Sequence, residues 1–144
     1  MTTFTAPQTR YAPIPVLEPS DEASRARLSP TALKAFFNLA ERWSLSVEEA
    51  RGLLGGLGSS QYHQWKKDPV RTLDFDTFTR VSLLVGQYKA LHILFGDQLA
   101  DRWMKLPNTN PLFRGATPLE FALRGGIPAL TTLRRLLDAR RGGG

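Results

Sequence analysis

The 144-residue chain contains no cysteine. No disulfide can brace it, no thiolate can act as a nucleophile, and zinc sites built on cysteine are excluded. Histidine is nearly as scarce, and His63 and His92 lie too far apart to suggest a metal centre without further ligands. No apolar run approaches the roughly 20 residues needed to cross a bilayer. The N-terminus lacks a charged-then-apolar signal pattern, because Pro7, Pro13 and Pro15 interrupt its first apolar residues. Strand-type alternation of useful length is absent as well. No Ser/His/Asp set or carboxylate pair stands at a catalytic spacing; Asp97 and Asp101 read as groups that cap and solvate a helix start. His92, inside an apolar stripe, reads as a satisfied core or interface histidine. These absences describe an expected soluble, cytoplasmic, non-enzymatic protein with no cofactor and no metal.

What the sequence does have is positive charge, +6 overall, which invites a polyanionic or acidic partner. Its distribution is uneven. Residues 81–144 hold nine basic and four acidic side chains, whereas residues 46–80 hold five of each. Residues 1–28 combine early prolines with polar filler and read as a flexible segment. Ordered structure is expected from Ser29, a good N-cap, and Pro30, which fits a first helical position. Leu33, Phe36, Phe37 and Ala40 then recur at helical spacing to about Trp43. Ser46 with Glu49 forms a capping box for a second helix, which Gly55-Gly56 ends. Ser59 or Ser60 caps a short third helix. Asp74 caps a long helix over about 75–95, with Phe75, Phe78, Val81, Leu84, Val85, Tyr88, Leu91 and Phe95 on one stripe. A stripe that broad suits a central helix or a dimer surface. Gly96 ends this helix. Residues 97–106 form another helix with Leu99, Trp103 and Leu106 inward, then Thr117 with Glu120 caps a helix that Gly125-Gly126 breaks. An amphipathic helix over 127–141 closes an all-α chain, and the last glycines should fray.

Residues 46–67 have the shape of a helix-turn-helix: a capped helix, a glycine-containing turn and a short polar helix. Tyr62 and Trp65 are spaced to face inward, which leaves Ser59, Ser60, Gln61, His63, Gln64, Lys66 and Lys67 on the outside. Ser and Gln near the start of such a helix can read base edges in the major groove, while Lys66, Lys67 and Arg71 can reach phosphates. The same spacing equally fits an ordinary polar surface helix in an all-α protein.

The C-terminal half carries Trp103, then Pro107-Asn108, then Phe113-x-Gly115-x-Thr117-Pro118-Leu119-Glu120, then Gly126 and a final amphipathic helix. Each element alone is structural punctuation: a turn asparagine, a glycine suited to positive φ, an N-cap followed by proline. Together with the helix-turn-helix, over about residues 29–141, they resemble the Xre/MbcA/ParS-type antitoxins. The resemblance implies a helix-turn-helix domain over 29–95 and a small helical toxin-binding domain over 96–144. It also implies a RES-domain toxin partner that degrades NAD, an active site covered by the C-terminal domain, and autorepression on double-stranded operator DNA. A homodimer is expected, because such modules read paired half-sites, with the helix over 75–95 as the expected dimer surface. Expected toxin contacts are Trp103, Asn108, Arg124, Arg134, Arg135, Arg140 and Arg141; guanidinium forks pair well with carboxylates. The alternative reading of the arginines, less favoured than partner contact, is solvation of an exposed helix end. The alternative function is a stand-alone dimeric helix-turn-helix regulator with no toxin partner. Truncation after about residue 125 is expected to abolish neutralisation and to leave residues 30–95 folded.

Overall fold

A computed structural model of the chain describes residues 21–143, and among these it contains helices and no strand. Helix α1 (Glu22–Arg42) leads to α2 (Val47–Leu53) and α3 (Ser59–Lys67). The long α4 (Phe75–Trp103) follows, then a 3₁₀ turn (Pro111–Phe113) and α5 (Pro118–Gly143). Most of the expected flexible segment, and Gly144 at the other end, lie outside the described residues.

Helix α1 starts earlier than the Ser29-Pro30 signal suggests. Asp21 is the N-cap, accepting from the Ala23 N–H at 3.1 Å, and Pro30 sits inside the helix. Proline has no N–H, so the bond to the Ala26 carbonyl is forfeited. Tertiary contacts offset that loss. The Leu73 N–H donates to the buried Ser29 hydroxyl at 2.9 Å, and Arg25 Nε donates to the Leu73 carbonyl at 3.2 Å. Ser29 is therefore a buried strut between α1 and the loop before α4, not a cap.

The Ser46–Glu49 capping box forms as expected, with bonds of 2.8 and 3.0 Å. In α3 the cap is Gly58, whose carbonyl accepts from the Tyr62 N–H at 2.8 Å, so neither Ser59 nor Ser60 is the capping residue. Asp74 caps α4 through the Thr77 N–H at 2.8 Å.

Both long helices are broken by glycine. Gly96 (φ 73°, ψ 172°) interrupts α4 and Gly126 (φ 61°, ψ −144°) interrupts α5, each in a region that only glycine occupies readily. Ahead of the first break, Phe78, Val81, Leu84 and Leu91 are buried, but Phe75 is 53% exposed because it begins the helix beyond the core's edge. After it, Ala100, Trp103 and Met104 face inward, while Leu99 and Leu106 are exposed. The break resets the helix direction, so the inward face shifts by one residue from the expected Leu99.

One apolar cluster runs from Leu33 and Phe36 of α1 through Leu84 and Leu91 of α4 to Leu130, Leu133 and Leu137 of α5. Of the α4 stripe, Phe78, Val81, Leu84 and Leu91 lie inside this cluster, while Val85, Tyr88 and Phe95 are partly buried against it.

Candidate DNA-reading helix and toxin-facing cleft

Tyr62 and Trp65 turn inward from α3, and Tyr62 packs edge-on against Phe37 of α1 at 5.5 Å. Burial pushes the Tyr62 hydroxyl above its usual pKa, so it stays a neutral packing group. These two anchors fix the helix rotation and put Ser59, Ser60, Gln61, His63, Gln64, Lys66 and Lys67 on the exposed side. Their polar groups form one continuous outward face. Gly55 and Gly56 both hold positive φ in the preceding turn, and Arg51 Nε donates to the Leu57 carbonyl at 2.6 Å. Arg71 is placed differently. Its guanidinium lies 5.2 Å over the Trp65 ring and donates to the Asp68 carbonyl at 3.1 Å, so it clamps the end of α3.

The expected toxin contacts divide in the same way. Trp103 is buried between Phe95 (6.3 Å) and Phe113 (6.2 Å), so it shapes the C-terminal half from within. Asn108 accepts from the Asn110 N–H at 2.9 Å, which folds the loop. Arg134 is only 8% exposed and donates to Asp138 at 3.0 Å, and Arg141 lies 3.9 Å from the same carboxylate. Burial of that kind suits a structural arginine. Arg124, Arg135 and Arg140 remain on the surface.

Two features were not visible in the sequence. The 3₁₀ turn and the first half of α5 border an open-sided cleft of about 410 Å³, with Leu112, Phe113, Ala116 and Phe121 as its walls and Arg114 and Arg124 beside them. Arg114 stands in the left-handed region (φ 48°), immediately before Gly115 (φ 83°). The expected cap of α5 forms through the Glu120 N–H to Thr117 Oγ1 at 3.1 Å, while the Glu120 carboxylate lies 3.9 Å from Arg124. The second feature is a clamp across the α4 break: His92 contacts Asp97 at 2.8 Å through Nδ1 and Asp101 at 2.9 Å through Nε2. Asp97 and Asp101 therefore hold a histidine side chain rather than simply solvating a helix start.

The helix-turn-helix and the C-terminal half touch directly. Leu123 of α5 packs so close to Gly52 of α2 that an added Cβ would meet it at 2.8 Å. Arg80 of α4, paired with Asp76 at 2.7 Å, lies beneath both Gly55 and Gly126. Lys105 bonds to the Ser44 carbonyl and lies 3.2 Å from Glu49.

A capped helix, a two-glycine turn and an exposed polar helix, joined to a helical C-terminal half, define a helix-turn-helix protein with a second helical module. Comparison with known families agrees. Residues 22–86 match the antitoxin Xre-like helix-turn-helix domain, and residues 90–143 match the antitoxin Xre/MbcA/ParS C-terminal toxin-binding domain. The chain is also 39% identical over 132 residues to the uncharacterized protein y4oB of Sinorhizobium fredii (strain NBRC 101917 / NGR234), covering 91% of this chain and 98% of that relative. The chain belongs to the Xre/MbcA/ParS-type antitoxins.

Proposed function

We propose that this protein is the antitoxin of a type II toxin–antitoxin pair whose toxin is a RES-domain, NAD-degrading enzyme. Its C-terminal half covers the toxin's active site, and the complex represses its own operon through α3. The observation that carries this reading is the pairing of an Xre-like helix-turn-helix at 22–86 with a toxin-binding domain at 90–143 in one chain. The exposed arginines Arg124, Arg135 and Arg140 supply cations for carboxylates on the toxin. Asn108 folds the loop ahead of the 3₁₀ turn and Trp103 packs against Phe113, so both shape the C-terminal half that meets the toxin. On the DNA side, Gln61 and Gln64, flanked by Ser59, Ser60 and His63, face base edges. Lys66 and Lys67 hold phosphates, and Arg71 braces the helix end. A homodimer places two such helices on successive half-sites about 34 Å apart or a multiple of it.

The test is co-expression of the tagged chain with the proposed RES-domain toxin. The expected result is a stable complex that retards operator DNA. Replacing Gln61 and Gln64 with alanine should cost roughly 1–3 kcal/mol of operator preference per lost bidentate contact. Replacing Lys66 and Lys67 should weaken binding to all DNA alike and flatten its salt dependence. A chain that ignores both the RES-domain protein and DNA would end the proposal.

A further inference from the structure

The cleft beside the 3₁₀ turn combines three properties that a bare apolar surface lacks. Its aromatic walls are packed against one another without a partner: Phe113 meets Phe121 edge-on at 5.4 Å and is backed by Trp103. Its size, about 410 Å³, lies within the range of specific binding pockets. Its charged lining is cationic only, from Arg114 and Arg124. The Glu120 carboxylate near Arg124 belongs to an exposed pair at 3.9 Å, with the side chains 78% and 52% accessible, so it competes weakly for that guanidinium. Arg114 also occupies a left-handed conformation that non-glycine residues adopt rarely, and this places it at the cleft. The surrounding half of the chain carries the protein's positive excess.

We propose that this cleft is the anchor point for the toxin: it receives one aromatic or large aliphatic side chain from an acidic segment of the toxin, whose neighbouring carboxylates pair with Arg114 and Arg124. Aromatic anchors in preformed pockets dominate protein interfaces, and charge-assisted guanidinium pairs fix their orientation. The inference rests on the toxin-binding reading above and names where and what that domain grips.

Two arms separate its failure from the failure of that reading. In the first, the isotope-labelled full chain is titrated with acetyl-Glu-Trp-Glu-amide and with acetyl-Lys-Trp-Lys-amide, and amide NMR shifts are followed. The acidic peptide is expected to move the signals of Gly115, Ala116 and Gly125 and the basic peptide to leave them in place. In the second, the double variant Arg114→Glu/Arg124→Glu is measured against the proposed RES-domain toxin. Both side chains are exposed, so the melting temperature should hold while toxin affinity falls roughly tenfold or more. Equal response to both peptides, or full toxin affinity in the double variant, overturns the cleft proposal alone. A wild-type chain that binds the acidic peptide but never the RES-domain protein overturns the toxin as occupant, together with the reading beneath it.

Discussion

The guanidinium of Arg134 fills the space above Gly86 on α4, where an added Cβ would meet Nη1 at 1.7 Å. Alanine is the better helix former by about 1 kcal/mol, so an exposed glycine-to-alanine change at this position would stabilise. Here overpacking should outweigh that gain, at about 1–3 kcal/mol. Gly86→Ala is therefore expected to lower the urea midpoint, and the same change in an Arg134→Ala background to raise it. A stabilising Gly86→Ala in the wild type would show that the arginine is not needed where it lies. Glu49 offers a pH test. Desolvation pushes its carboxyl up, but the Ser46 N–H and the Lys105 ammonium outweigh that and hold its pKa below the ordinary value of 4.5. A carboxylate with a depressed folded pKa stabilises fully above its unfolded pKa and loses that contribution as pH falls through the folded value. Glu49→Gln should thus melt below wild type at neutral pH. The gap should close as pH drops below about 4.5. A gap that persists unchanged under acid would assign the effect to packing alone.

Among the elements, the two glycine breaks decide the shape of the C-terminal half. A Cβ at Gly96 would meet nothing within 4 Å, so any cost of substitution there is backbone cost. Gly96→Ala should destabilise by about 1–3 kcal/mol in urea denaturation. A neutral result would mean that α4 can straighten without penalty. Both breaks, the Ser46 and Asp74 caps and the inward faces of α1 and α3 were legible in the sequence, because each depends on neighbours within one or two turns. The early start of α1 was not. Ser29-Pro30 looks locally like a beginning, and only Leu73, brought in by the fold, shows that Ser29 is a strut. The exposure of Leu99 and the His92 clamp stayed hidden for a related reason. Both follow from the angle that Gly96 imposes, which periodicity along one straight helix cannot express. The cleft was hidden too, since its walls come from a 3₁₀ turn and a helix whose approach no spacing encodes, though the Phe113 to Glu120 motif marked the segment that builds it.

At the scale of the whole molecule, the DNA-facing and toxin-facing halves share a core. Leu130, Leu133 and Leu137 of α5 are essentially fully buried, and each contributes roughly 1.5–3 kcal/mol of burial. Removing residues after 125 therefore strips the cover from α4, and the truncated chain should lose cooperative melting over residues 30–95 instead of keeping it. Retention of a sharp transition would show that the N-terminal helices carry their own core. The shared arginine at position 80, beneath both Gly55 and Gly126, gives the same connection at a single side chain. Point substitutions on the surface, not truncations, are thus the right tools for separating toxin binding from DNA binding. The most direct test of the antitoxin assignment is the cellular NAD level after induction of the RES-domain toxin proposed as its partner, with and without this chain. NAD should collapse when the RES-domain protein is induced alone and hold near its starting level when the chain is present. An equal collapse in both cultures, with the chain folded and abundant, would contradict the account.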